Sequence, residues 1–140
     1  MSGEDNKAFY RHYNARCNTH DFESLGEFVA EDVVVNGEPV GLAGYREGLA
    51  AVVAAFPNYQ WRIDHLIAEG DWLAARFADS GTHRGTFLGV PPTGKAIETQ
   101  EFAFYRLEGG KIVEVWVTAD DLATLQQLQS RSEPPQLGDA

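Results

Sequence analysis

The chain has 140 residues, of which 44% are hydrophobic and 23% are charged, and its formal net charge is -10. This composition is typical of a globular protein with its own core, and the negative charge argues against nucleic acid or an anionic membrane as a partner. The N-terminus has no apolar signal region, and the longest apolar run, 49–56, is too short to span a bilayer. Because the single cysteine, Cys17, cannot form an internal disulfide, we expect a reduced, cytoplasmic protein.

The first half of the chain has apolar residues at helical spacing. The aromatic stripe of the first helix, which includes Tyr13, is typical of core contacts, although such a helix can also cover a cavity. Asp21 is a suitable N-cap for a second helix, and the Asn36-Gly37 pair predicts a small hairpin. The predicted elements are helices over 4–18, 22–32 and 45–56 and a hairpin of 33–36 with 40–42.

The second half changes to the period of two that strands show. It predicts strands over 59–68, 72–81, 96–107 and 111–117, a long Gly- and Pro-rich loop over 82–95, and a helix over 120–129. Helices that precede an antiparallel meander indicate an α+β fold, with helices closing the concave side of a curved sheet around a cone-shaped cavity. We expect one domain over residues 1–129 and a mobile tail over 130–140.

The last predicted strand, 111–117, has one apolar face and one mixed face. Trp116 and Thr118 lie on the mixed face, which indicates the wall of a pocket. Thr118 and Asp121 fit a capping box, which assigns Asp121 to the start of the helix and leaves Asp120 free as a general acid/base at the mouth of the cavity. On residue types alone, a structural role for Asp120 is an equal alternative.

The predicted strands also give positions for two other polar side chains, His83 and Arg76. His83 lies where a strand enters the long loop, a place from which a histidine can relay a proton. Arg76 lies in mid-strand and needs a carboxylate partner if it is buried; Glu114 is the expected partner, with Asp64 and Glu101 as alternatives. The sequence contains no zinc-ligand spacing, phosphate loop, dinucleotide motif or nucleophile elbow. Acid/base chemistry on an apolar small molecule, without a metal, is what remains.

Several motifs match a known family. They are Gly81-Thr82-His83, Val90-Pro91-Pro92-Thr93-Gly94-Lys95, and Gly110-Lys111-Ile112-Val113-Glu114-Val115-Trp116 followed by Asp120. With these motifs the chain resembles the SnoaL-like polyketide cyclases, a branch of the NTF2-like superfamily. The resemblance implies an α+β cone, a homo-oligomer, and an intramolecular aldol ring closure on an aromatic polyketide without a cofactor. It implies that Asp120 is the general acid/base and that His83 belongs to the active site.

A polyketide substrate would need contacts from the cavity wall. The side chains expected to provide them are Trp116, Tyr13, Trp61, Phe87 and Arg84. Because some relatives are linked to hydroxylation, a hydroxylase or isomerase is an alternative, and so is a binding module that keeps the cone without catalysis. The valine face of strand 111–117 is either a dimer interface or packs on the helices of its own chain.

Overall fold

The structure, a computed structural model, describes residues 2–130. Within this range the helices are α1 (Gly3–Asn18), α2 (Gly41–Ala55) and α3 (Asp121–Gln129), together with a short 3₁₀ helix at Phe22–Glu27. The strands are β1 (Val29–Val35), β2 (Gln60–Glu69), β3 (Trp72–Thr82), β4 (Ala96–Glu108) and β5 (Lys111–Ala119). None of the helices in this range is long and apolar enough to cross a bilayer.

The strands form one curved mixed sheet in the order β1-β5-β4-β3-β2. From β2 to β5, consecutive strands pair antiparallel, and the predicted α+β fold is confirmed. β1 adds a fifth strand, parallel to β5. The predicted strand over 33–36 overlaps the end of β1, but its pairing with β5 was not predicted, because a pairing between segments so far apart in the chain leaves no periodic signal in either of them.

The predicted hairpin after Val35 does not form. Asn36 and Gly37 have positive φ angles of 51° and 83° and make a tight turn, but the chain then enters α2 at Gly41. Only one isolated bridge crosses this turn. The predicted turn at Asn36-Gly37 is therefore confirmed, whereas the strand expected over 40–42 is the start of α2.

The predicted second helix is reduced to the 3₁₀ segment Phe22–Glu27. Val29, which was expected to lie on this helix, instead begins β1, and its side chain is buried in the core. Leu25 is buried as well. Tertiary burial of these two side chains outweighs the helical spacing of the local sequence, as tertiary context commonly does.

The core lies between the concave face of the sheet and the helices α1 and α2. On β3 the side chains of Leu73, Ala75 and Phe77 point inward, as their alternation predicts. On β5 the core residues are Ile112, Val115 and Val117, because the register of β4 and β5 shifts between Arg106 and Leu107. Val115 and Val117 of the valine face therefore pack inside their own chain.

A β-bulge in β2 changes which side chains face the core. The register shifts between Ile63 and His65, so that Trp61 before the bulge is buried and Ile67 after it is exposed. The alternation of the sequence places these residues on one face, and that prediction is wrong beyond the bulge. One extra residue in a strand moves every later side chain to the other face.

Residues 131–140 lie outside the described residues, and with them all of the predicted mobile tail except Ser130. The domain boundary at residue 129 stays a prediction.

Candidate active site

A cavity of about 300 Å³ lies between α2, the concave face of the sheet and the start of α3. Its wall is mostly aromatic and aliphatic, as in most sites for small organic ligands. The apolar wall includes Leu49, Val52, Phe56, Trp61, Phe87 and Val117. The polar side chains that reach the wall include Tyr45, Thr99, Glu101, Asp121 and Thr124.

The two aspartates at the start of α3 have different surroundings. Asp120 is the N-cap, and its Oδ1 accepts a hydrogen bond from the backbone N–H of Ala123 at 3.0 Å. Asp121 follows as the first helical residue and lines the cavity. The predicted capping box of Thr118 and Asp121 is wrong, because β5 continues through Ala119 and the cap lies two residues later than expected.

The environment of Asp121 suits a general base. Partial burial, and then the negative charge of Asp120, raise the pKa of Asp121 above its usual value. A carboxylate with a raised pKa is a stronger base, which favours proton abstraction. The catalytic role of Asp120 stays a prediction, but the side chain of Asp120 is not among those that line the cavity.

Glu101 and Asp79 form a pair of carboxyl groups on adjacent strands. Glu101 lines the cavity from β4, whereas Asp79 on β3 is fully buried and accepts a hydrogen bond from the hydroxyl of Tyr59 at 3.0 Å. Burial, and then the hydrogen bond with Asp79 and its charge, raise the pKa of Glu101 to about 10. Burial also raises the pKa of Asp79, while its hydrogen bonds with Glu101 and Tyr59 act in the opposite direction. The pair therefore holds a proton near neutral pH.

A second, smaller cavity of about 60 Å³ adjoins the first, and Tyr45, Trp61 and Glu101 line both. Tyr13 from α1 lines the smaller one, and its hydroxyl is hydrogen-bonded to that of Tyr45. Burial raises the pKa of both phenols. These hydroxyls therefore stay protonated near neutral pH and add polarity to the inner end of the site without adding charge.

The predicted contact residues divide between the cavity and the surface. Trp61 and Phe87 line the larger cavity, whereas Arg84 is exposed on the loop after β3 and is not among the lining residues. Trp116 is 44% exposed on the outer face of the sheet. Trp116 lines a groove on that outer face and not this cavity, because the alternation along β5 gives the inner position to Val117; its contact with a substrate stays a prediction.

Glu114 also lies away from the cavity. Its carboxylate pairs with the Nε of Arg106 at 2.8 Å and accepts the indole N–H of Trp116 at 2.7 Å. The predicted pair of Glu114 with Arg76 is wrong, since Arg106 lies directly opposite Glu114 in the register of β4 and β5. Arg76 pairs with Asp64 at 3.5 Å, which was one of the alternatives.

His83 is fully buried and anchors the loop between β3 and β4. Its Nδ1 accepts a hydrogen bond from the backbone N–H of Thr93 at 3.1 Å, and its ring packs on Phe56 with centroids 5.5 Å apart. Phe56 lines the cavity, but His83 does not. The geometry gives His83 a structural role behind the wall, and its catalytic role stays a prediction.

Sequence reasoning missed Asp79 and considered Glu101 only as a partner for Arg76. A signal was available, because each carboxyl interrupts an inward-facing apolar stripe of its strand: Asp79 follows Ala75 and Phe77, and Glu101 precedes Ala103. A carboxylate on such a stripe needs a partner or a proton. Among the described residues, no three His, Cys, Asp or Glu side chains are grouped so that they could hold a metal ion.

The family model described as SnoaL-like polyketide cyclase matches residues 7–128. No match was found among curated proteins.

Solved structures with the same fold include proteins described as polyketide cyclases and one described as a hydroxylase. A SnoaL-like polyketide cyclase from Agrobacterium tumefaciens is 33% identical, with a TM-score of 0.80, and the match covers 91% of this chain and 99% of that one. IdmH from Streptomyces antibioticus, provisionally described as a polyketide cyclase, is 29% identical with a TM-score of 0.80, covering 89% and 98%. AclR from Streptomyces galilaeus, provisionally described as a hydroxylase, is 27% identical with a TM-score of 0.83, covering 98% and 88%.

Proposed function

Because the chain belongs to the SnoaL-like polyketide cyclase family, we propose that it closes a ring on an aromatic polyketide by an intramolecular aldol reaction that needs no cofactor. The observation that carries this proposal is the carboxylate of Asp121, which has a raised pKa and lines a cavity whose other walls are largely apolar. Aromatic rings fit such walls, and a base with a raised pKa beside them suits the removal of a proton from carbon.

In the proposed reaction Asp121 acts twice. Its carboxylate first removes a proton from an activated methylene carbon of the substrate, and the resulting enolate carbon attacks a ketone carbon to form the new carbon–carbon bond. The carboxylic acid form of Asp121 then returns the proton to the alkoxide oxygen. The aromatic system of the substrate delocalises the charge of the enolate, so one acid/base group is sufficient.

The test compares D121N with D120N, using as substrate an aromatic polyketide that carries an activated methylene group and a ketone. We expect D121N to lower kcat by about 10²–10⁴-fold, the usual contribution of a general acid/base, with ligand binding retained. D120N is the matched control, because asparagine is also a good N-cap and should preserve the start of α3.

Two outcomes would contradict this assignment. A large loss in D120N with little change in D121N would return the catalytic role to Asp120, as the sequence motif implies. Unchanged turnover in both variants would show that neither carboxylate at the start of α3 transfers the proton.

Hydroxylation is the second candidate function, and the similarity to AclR is the observation that favours it. Mass spectrometry of the product distinguishes the two reactions. An aldol cyclisation leaves the mass unchanged or lowers it by one water, whereas hydroxylation adds one oxygen atom. A product heavier by one oxygen would replace the cyclase proposal.

A further inference from the structure

Glu101 is the carboxyl group at the junction of the two cavities. It projects from β4 and lines both of them. The ion pairs of the described residues include neither Glu101 nor Asp79. Since this part of the chain offers the pair no cation, a bound proton is the remaining way to reduce its charge.

The hydrogen bonds of Asp79 indicate where that proton lies. Its Oδ2 accepts the hydroxyl of Tyr59 at 3.0 Å, while its Oδ1 is buried and receives no N–H or hydroxyl donor from the described residues. The hydrogen bond between Asp79 and Glu101 therefore needs a proton on one of the two carboxyl groups. Because the hydroxyl of Tyr59 stabilises the anion of Asp79, the proton belongs to Glu101.

This arrangement determines what Glu101 can offer to a ligand. Its single proton is used in the hydrogen bond to Asp79. Only acceptor lone pairs are left on the side that lines the cavity. A hydroxyl group is the complementary group on an aromatic ligand.

We propose that Glu101 is a specificity-determining residue that accepts a hydrogen bond from a hydroxyl group of an aromatic ligand in the larger cavity. Asp79 and Tyr59 are positioning residues, since they hold the proton of Glu101 in place. This inference rests on the proposed function, because it takes the cavity as the substrate site, and it narrows the substrate class to hydroxylated aromatic compounds. In this proposal Glu101 recognises the substrate, whereas Asp121 transfers the proton.

The test uses 2-naphthol and 2-methylnaphthalene, which differ in a hydroxyl and a methyl group of similar size. Calorimetry at neutral pH gives the ratio of their dissociation constants for the wild type, E101Q and E101M. Glutamine imitates the protonated acid, because its amide can donate to Asp79 while its carbonyl oxygen accepts from the ligand. Methionine has a similar length and offers only a weakly accepting thioether.

We expect the preference for 2-naphthol over 2-methylnaphthalene to fall about tenfold in E101M, as for the loss of one hydrogen bond, and to change little in E101Q. An unchanged ratio in E101M would show that Glu101 is not the acceptor. A loss in E101Q as large as in E101M would show that the acceptor is the anion and not the protonated acid.

E101M could fail to fold, because Asp79 loses its donor. The double variant D79N/E101M then provides the comparison, since an asparagine carbonyl can still accept from Tyr59. If neither ligand binds to the wild type, the cavity does not take aromatic compounds, and both this inference and the proposed function fail. If both ligands bind without a hydroxyl preference while turnover still depends on Asp121, only the role of Glu101 is refuted.

Discussion

Carboxyl groups that are close in sequence have different roles in this protein, because their burial and their hydrogen-bond partners differ. Asp120 uses an oxygen to cap α3, whereas Asp121, one residue later, lines the cavity with a raised pKa. Glu101 faces the interior beside Asp79, whereas Glu98 on the same strand is exposed. Burial is the largest cause of the raised pKa values of Glu101 and Asp121.

The protonated state of Glu101 predicts how stability depends on pH. Burial raises the pKa of Glu101 above its value in the unfolded chain, so the folded state binds this proton more tightly. The resulting stabilisation is fully present below the unfolded pKa and is lost as the pH rises towards the folded one. We expect the free energy of unfolding, from urea titrations, to fall from mildly acidic to mildly alkaline pH, and to fall less in E101Q.

Other titrating groups near Glu101 also contribute to the pH dependence of stability. They are Tyr10, Tyr13, Cys17, Tyr45, Tyr59, Asp79, Tyr105 and Asp121, whose pKa values burial raises as well. Hydrogen bonds lower the pKa of Asp5 and Glu114, and these two groups affect stability only at acidic pH. E98Q is the matched control and should keep the wild-type slope. Equal slopes in the wild type and E101Q would contradict a raised pKa at Glu101.

At the scale of elements, the loop after β3 is held against the end of α2 by its backbone. The N–H groups of Arg84 and Gly85 both donate to the carbonyl of Ala55, at 2.9 and 3.0 Å. His83 ties the other end of the loop through Thr93. Since Phe87 from this loop lines the cavity, the close contact between loop and helix helps to shape the site.

This contact predicts a large effect of a small substitution. A Cβ at Gly85 would lie 2.3 Å from the carbonyl oxygen of Ala54, which is too close for any contact. We expect G85A to lower the free energy of unfolding by about 1–3 kcal/mol, the usual cost of overpacking, in urea titrations.

G48A is the control for that measurement. A Cβ at Gly48, in the middle of α2, meets nothing within 4 Å. Alanine should therefore leave stability unchanged or raise it by about 0.5–1 kcal/mol through its helix propensity. A G85A variant as stable as G48A would show that the loop does not lie against α2.

At the scale of the whole molecule, the sheet has a second apolar surface opposite the cavity. Its exposed side chains are Ile67, Trp72, Phe102, Phe104 and Trp116. Trp116 and Phe104 face each other across β5 and β4, and the ring of Trp72 lies 6.2 Å from that of Phe104. Clustered aromatic rings on a surface are typical of protein interfaces.

The homo-oligomer implied by the family resemblance stays a prediction, and this outer face is where we expect it to form. Phe104, which is 54% exposed, is central to the face. F104E should shift the protein from an oligomer to a monomer in size-exclusion chromatography with light scattering, because a charge would be buried in an apolar contact.

L122E is the control for the interface, since Leu122 is exposed on α3 and away from this face. It should remain an oligomer. A wild-type protein that is monomeric at every concentration tested would contradict self-association through the sheet.

The sequence by itself determined the fold class, three of the helices, the four antiparallel strands and the family. Period-two alternation in β3 and β4, the turn at Asn36-Gly37 and the helix stop at Pro57 depend on neighbours in the chain, so a local pattern is enough to predict them. Trp61 and Phe87 line the cavity, and their contact with a substrate stays a prediction.

Only the tertiary structure decided which side chains face that cavity. The bulge in β2, the parallel strand β1 and the extension of β5 to Ala119 are set by contacts between distant segments. The bulge shifts the later residues of β2 by one position, which exchanges the inner face of the strand for the outer one, and the extension of β5 moves the helix cap from Thr118 to Asp120. The sequence therefore predicts a carboxylate at the start of α3, while the fold places Asp121 rather than Asp120 on the cavity. It also turns the side of β5 with Val115 and Val117 towards the core, which leaves Trp116 outside.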